Sequence, residues 1–425
     1  MRCAQMLFTA AFFSSAAASA SPASAAHPFG DRALVHAREA LDTGNDARAL
    51  VLLQDSLQKL PPSSDMANQA RFLAARAALG MGLHERGLEY LDNLESELPE
   101  VSDYVYFHRA HAYRGLGRWR EALGQWRRIS WRSPLASDAA FSIADAYVAL
   151  SRFEQAAEKY DEVLEHHRRH DRVATARFAR ARVAEVLRDW ETAGEIYQEI
   201  AFRSPLDYFA GESLRRFERL SALRRIEPAG FYDYLGRADR FLSARALEPA
   251  RDQLDALVAR ATSSSRKRSL AERQAKLAYR DDRFEDARAT FESLASQTSG
   301  ARRIRHLQWA SRSLAAQNRF DEAVSIYESL AAEHRDQREG RELLFKAAWL
   351  AYNGSDHTRS LALFRQFIDL YGADYEVDDA TWFVAWNAYR LGDYPSALHA
   401  LRTLRSTHPR SKLLQRTHYW EARIL

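Results

Sequence analysis

The sequence predicts an all-α fold, a solenoid of about ten stacked helical hairpins, and three regularities predict it. A small residue recurs at Ala49, Gly87, Ala122, Ala156, Ala193, Ala250, Ala287, Ala323, Ser360 and Ala397, in steps of 38, 35, 34, 37, 57, 37, 36, 37 and 37 residues. A second small residue stands twelve positions before each: Ala37, Ala75, Ala110, Ala144, Ala181, Ala238, Ala275, Ser311, Ala348 and Ala385. A bulky residue follows each mark by four: Leu53, Leu91, Trp126, Tyr160, Tyr197, Leu254, Phe291, Tyr327, Phe364 and Leu401. A fixed period of this length marks units that bury their apolar faces against neighbours. The i, i+4 spacing puts the small and the bulky residue on one helix face.

Each unit then reads as two antiparallel helices that cross closely where the small side chains meet, with the bulky one filling the gap to the next unit. The second helix opens on an aromatic residue three positions before its alanine, as in GRWREAL (117–123), SRFEQAA (151–157), RDWETAG (188–194), DRFEDAR (282–288), NRFDEAV (318–324) and GDYPSAL (392–398). The series Trp119, Phe153, Trp190, Phe284, Phe320 and Tyr394 has the look of a sugar-stacking stripe, but its coupling to the small-residue period assigns it to inter-helix packing. Proline closes several units, at Pro61, Pro99, Pro134, Pro205 and Pro409, because it cannot continue a helix. These small, bulky and proline positions together resemble the tetratricopeptide repeat. The 34-residue unit of that family is here mostly stretched by two or three residues, which implies longer connections or helix ends and an irregular superhelix.

The single step of 57 contains 20 residues more than the common 37. The excess lies in SPLDYFAGESLRRFERLSALRRIEP, residues 204–228, whose apolar positions Leu206, Phe209, Leu214, Phe217 and Leu220 predict an extra helix between two arms, 27–226 and 227–425. The polar, basic stretch ATSSSRKRS (261–269) reads as a hairpin loop.

The 425 residues include 46% hydrophobic and 11% aromatic residues, enough to bury a large core. Residues 1–26 differ: Arg2 is their one charge, an apolar run spans Met6 to Phe13, and small residues continue through Ala26. That order is expected of a cleaved secretory signal, with the mature chain in the periplasm of a bacterium. The one cysteine, Cys3, lies inside this segment, so the mature chain has no thiol for a disulfide, a zinc-thiolate site or a nucleophile. Removing Arg2 lowers the formal charge from +4 to +3 (4 − 1 = 3), too small a bias to imply a polyanionic partner.

The last residues fall in register with the repeat. Adding 37 to position 385 gives 422, which is Ala422, preceded by Tyr419 and Trp420. The partner helix of this eleventh unit would need an alanine near position 434, so the natural product is expected to continue beyond Leu425 or to have these residues covered. DDATWFVAWNAYRLGDYPSAL followed by THYWEARIL is similar to the superhelical, non-catalytic region of soluble lytic murein transglycosylases, where a W-x-x-A-W-x-x-Y helix precedes a Y-W-x-A-R helix. SPLDYFAGESLRRFERL looks like a variant of a proline-aromatic-small segment of that family. The resemblance implies a horseshoe or ring, a setting in peptidoglycan metabolism, and a separate lysozyme-like catalytic domain. This sequence lacks that domain's glutamate motif: Glu212-Ser213 sits in the insert without the following Gly-Leu-Met-Gln type segment.

No other constellation carries chemistry. HHRRH at 166–170 could place His166 and His170 on one helix face as metal ligands, but a helix C-terminus also favours such cations, and the ligand reading is the weaker. Acids such as Glu195, Glu199, Asp378 and Asp379 could do acid-base work on sugars, but on repeat helices they form solvated faces and pairs with arginine. Phosphate-binding glycine loops and nucleic-acid modules are not recognisable. The sequence therefore predicts a non-enzymatic chain with no catalytic, metal or cofactor residue of its own. Its expected partner is peptidoglycan or a cell-wall enzyme; the alternative is a free-standing adaptor that holds a protein partner.

Overall fold

The computed structural model describes residues 28–372 and 376–425, and every regular element among them is helical. The secretory-signal segment lies outside the described residues. Contacts divide the chain into a unit ending at Tyr197 and a unit beginning at Gln198.

In the first unit five hairpins follow one another: α1 (Pro28–Asp42) with α2 (Asp46–Lys59), α3 (Asp65–Gly80) with α4 (His84–Leu91), α6 (Ser102–Gly115) with α7 (Trp119–Trp126), α8 (Ala136–Ala149) with α9 (Phe153–His166), and α10 (Val173–Leu187) with α11 (Trp190–Gln198). A single turn, α5 (Leu94–Glu97), precedes the third pair. The second unit starts with a π-helical turn, Glu199–Arg203, and α12 (Ala210–Ala222). Five more hairpins come next: α13 (Phe231–Ser243) with α14 (Leu247–Ala256), α15 (Ser264–Arg280) with α16 (Phe284–Ser296), α17 (Gly300–Ala316) with α18 (Phe320–Glu333), α19 (Arg338–Asn353) with α20 (His357–Tyr371), and α21 (Val377–Arg390) with α22 (Tyr394–Thr407). The last helix is α23 (Leu414–Ile424).

All twenty small positions of the ten hairpins are buried, and so are all ten bulky ones. Two serines show directly that the small positions meet. Ser311 Oγ donates to the Ala323 carbonyl at 2.9 Å, and Ser360 Oγ to the Ala348 carbonyl at 2.9 Å, each across the twelve-residue spacing. At Gly87 the space of a side chain is taken by Leu79, whose Cδ2 would lie 2.6 Å from an added Cβ, while the Ala75 carbonyl would lie at 3.7 Å. The exposed small residue of the register is Ala422 on α23, the position that would face a second helix.

Every hairpin turns in the same way. Five residues before each second-helix small position, at 44, 82, 117, 151, 188, 245, 282, 318, 355 and 392, the backbone adopts a positive φ between 56° and 80°. The amide of the next residue then reaches back over the helix end: Arg319 N donates to the Leu314 carbonyl at 3.0 Å, and Ala246 N to that of Phe241 at 2.9 Å. This double reach satisfies carbonyls that would otherwise be left unpaired and fixes the chain reversal at two or three residues. The extra length of the repeats therefore sits in helix ends and in connections between hairpins, such as residues 297–299 and 334–337.

Aromatic residues that open the second helices pack between helices in several hairpins, whereas Tyr394 is half exposed. Trp119 and Phe153 lie half-buried against the core around Trp126 and Tyr160, and Phe284 meets Tyr279 edge-on at 5.4 Å. Two local expectations are corrected. ATSSSRKRS is a loop only up to Ser263, whose hydroxyl accepts the Arg266 amide at 3.2 Å and so caps α15, making residues 264–269 helical. His166 and His170 do not share a helix face, because α9 ends at His166. His170 instead stacks on Phe141 at 4.5 Å.

Candidate interaction face

Consecutive first helices of the second unit repeat a second pattern, visible once the small positions are fixed. One residue after them stand Trp349 and Trp386; four after them stand Tyr352 and Tyr389. With 3.6 residues per turn these positions share a flank of each first helix, adjacent to the one that crosses the second helix. The Trp386 indole N–H donates to the Tyr352 hydroxyl at 3.0 Å, tying α21 to α19.

Around Trp386 the rings pack as a patch. Trp382 lies parallel to it at 6.3 Å, Tyr389 nearly parallel at 5.5 Å, and Trp420 of α23 edge-on at 4.6 Å. The rings leave a void of only about 10 Å³, so the patch is preformed. Two of its members are open to solvent, Tyr394 at 50% against Tyr389 and Tyr419 at 58% against Trp420, and Trp349, the register equivalent of Trp386 on α19, is 48% exposed. The Arg423 guanidinium lies 5.4 Å over the Trp420 ring and donates to the Tyr419 hydroxyl at 3.1 Å. At the base of α23, Arg402 and Arg405 bind Glu421 at 2.7 and 2.8 Å, and the Arg402 bond, with Arg405 adding charge, holds that carboxyl below its usual range. The face thus combines Trp, Tyr and Arg, the residue types that dominate protein interfaces, with little side-chain freedom left to lose on binding.

The acids weighed from sequence are not gathered here into a reacting pair. Glu195 is exposed on α11, and Glu199 is exposed in the π-helical turn. Asp378 accepts the Ser411 hydroxyl at 2.6 Å and the Asp379 amide at 2.9 Å, a helix-start role, while burial first and Asp378 second push the Asp379 carboxyl up. Glu212 is bound by Arg215 at 2.7 Å and Arg216 at 2.9 Å, and the Arg215 bond keeps it ionised below the usual carboxylate range. A carboxyl so held is a poor proton donor. Among the described residues no group of three or more metal-type side chains assembles, and no helix is long and apolar enough to cross a membrane.

This face was half visible in the sequence. The terminal motifs W-x-x-A-W-x-x-Y and Y-W-x-A-R are its central rings. Trp349 and Tyr352 were missed, although their offset of 37 from Trp386 and Tyr389 was the available signal.

Comparisons place the chain in a class. Residues 107–166, 141–208 and 310–375 match the tetratricopeptide repeat family, and with the ten hairpins this is a tetratricopeptide-type repeat protein with an all-helical fold. Among solved structures it is similar to a tetratricopeptide repeat protein from Parabacteroides merdae, with 15% identity over 67% of this chain and 99% of that one and a TM-score of 0.35. Yeast Tom70 is similar at 12% identity over 93% and 95% of the two chains, TM-score 0.32. A thermophilic TPR protein of Thermus thermophilus is similar at 19% identity over 45% and 97%, TM-score 0.30. No curated protein matches the chain in sequence.

Proposed function

We propose that this protein is a non-catalytic scaffold that holds a protein partner on the first-helix face of its second unit. The observation that carries the reading is the preformed patch of Trp382, Trp386, Tyr389 and Trp420, with exposed Tyr419 at its edge and exposed Trp349 in the register position of Trp386 one hairpin earlier. Rigid aromatic side chains bury much area at small entropic cost, so a few of them supply most of an interface's energy.

A finer form of the reading puts the scaffold in the bacterial periplasm, with a partner from peptidoglycan metabolism. The leader-like residues 1–26 and the likeness of residues 341–425 to the superhelical region of lytic transglycosylases support it. In this form residues 28–425 position a wall-cleaving activity.

A photo-reactive phenylalanine analogue placed at Trp349 or Tyr419 in the producing cell tests both forms. The expected result is one discrete adduct from these positions and none from Arg120 or Glu154, exposed on second helices of the first unit. Equal adducts from all four sites, or none, would remove the scaffold reading. An adduct with a cytosolic protein would leave the scaffold and remove the periplasmic form.

A further inference from the structure

A second site lies at the start of the second unit, carried by observations independent of the aromatic face. Here the chain departs from the hairpin rule. The π-helical turn pushes Phe202 inward, where its ring meets Phe217 of α12 edge-on at 5.7 Å and Tyr234 of α13 edge-on at 5.0 Å. The ring acts as a wedge. Beside it a cleft of about 410 Å³ opens between α12, α13 and α14, within the range of roughly 300–1,000 Å³ typical of ligand sites.

The cleft is apolar where Leu214, Phe241 and Leu257 line it, and it carries two guanidiniums, Arg237 and Arg260. Their bonding is unlike that of many arginines in this unit, which hold carboxylates: Arg251 with Asp281, Arg273 with Asp239, Arg359 with Glu328. Arg237 donates from Nε to the Ala201 carbonyl at 3.0 Å and from Nη1 to Gln253 Oε1 at 2.6 Å, both neutral acceptors. Arg260 donates to the Ala229 carbonyl at 3.3 Å and lies 4.4 Å over the Tyr234 ring. Of the two carboxylates lining the cleft, Glu218 already accepts the Tyr234 hydroxyl at 2.8 Å, and Asp252 is exposed. Burial lowers the Arg237 pKa, against the charge of Glu218.

We propose that this cleft binds a short acidic segment of a protein partner, with one carboxylate against Arg237 and Arg260 and apolar neighbours over Leu214, Phe241 and Leu257. A guanidinium held on neutral acceptors keeps donors and charge available for a planar carboxylate, and the partly dry cleft strengthens that pairing. The apolar lining selects a carboxylate flanked by hydrophobic side chains over one in a wholly acidic run.

The test is an array of ten-residue peptides, each with a central Glu or Gln and with flanks varied from Leu to Ser, probed with the full chain. Peptides with Glu between leucines should be retained, and the Glu→Gln change should weaken binding by about tenfold or more. Arg237 bridges several elements, so two exposed positions carry the mutational arm: Arg260→Gln, and Ala256→Trp, which fills the cleft. Both should lose the retained peptides while the thermal midpoint stays that of the parent. Retention that ignores the Glu→Gln change, or that survives both variants, would overturn the proposal. So would competition by free succinate as strong as by the peptides, which would assign the cleft to a small dicarboxylate.

Discussion

Ten left-handed turn residues fix the reversal of every hairpin, yet four are glycine, one is asparagine and one aspartate; the other four are Ser151, Arg188, Arg245 and Ser355. A side chain in this conformation costs roughly 1–2 kcal/mol, and glycine gives back about 0.4–1 kcal/mol through its freer unfolded chain. Arg245→Gly should therefore stabilise its hairpin by about 0.5–1 kcal/mol. Gly392→Ala should do the reverse by a similar amount, and because nothing lies within 4 Å of the added Cβ, the effect is purely one of backbone. Hydrogen exchange of the flanking amides measures both. A larger cost attaches to Asn387, which is fully buried and donates to Ser360 Oγ at 2.9 Å and to the Phe383 carbonyl at 2.8 Å, with His357 on its Oδ1 at 2.9 Å. Asn387→Ala should lose about 2–3 kcal/mol, since buried partners are left unpaired. Ser360→Ala should cost less, because alanine occupies that position in eight of the ten hairpins. Urea unfolding of the two variants gives the ranking.

At the scale of elements, most of the hairpins could be read because packing itself sets the period. A helix crossing tolerates only small side chains, so Ala348 and Ser360 had to leave a mark. The turn left a weaker mark, since arginine and serine at four of ten positions have no preference for a positive φ. The wedge at Phe202 left none: the π-helical turn is a local response to packing, and nothing in EIAFR announces it. One element carries a pH response. On α6, burial pushes His108 down to about 3, with Arg76 and then His111 adding to it, and burial does the same to His111, followed by Arg114 and Arg172. An unfolded histidine titrates near 6.5, so below that pH the unfolded chain binds protons that the folded one refuses. The stability these residues permit is present above pH 6.5 and falls by about 1.4 kcal/mol per pH unit for each, down toward pH 3. From pH 6.5 to 5 the two together should cost about 3 kcal/mol, since each reaches its full slope only below the unfolded pKa. Exchange protection of residues 102–115 should fall over this window, and His108→Gln should halve the slope; an equal slope would mean that other groups dominate.

For the molecule as a whole, a repeat protein differs from a globule because each hairpin bears mainly on its neighbours, so stability is a sum of local terms. The cores reflect this. One cluster gathers Ala37, Leu53 and Leu73, another Trp126, Phe141 and Tyr160, and a third Phe364, Phe367, Leu343 and Leu401. Phe364 is fully buried, stacked on Phe383 at 4.9 Å and edge-on to Phe345 at 5.3 Å. Phe364→Ala removes a large side chain that no neighbour can replace, a loss of about 3–5 kcal/mol. In a globular protein such a loss would lower protection everywhere. Here it should loosen α19 to α22 and leave the cluster at Ala37 and Leu53 at its original protection, while Leu53→Ala should do the opposite. The same variant bears on function, since Phe383 packs on Tyr352, whose hydroxyl accepts the Trp386 indole N–H. Phe364→Ala should thus reduce crosslinking from Trp349 without altering any exposed residue, whereas the acidic-peptide cleft between α12 and α14 should keep its affinity. Parallel loss at both sites would show that the second unit unfolds as one cooperative body.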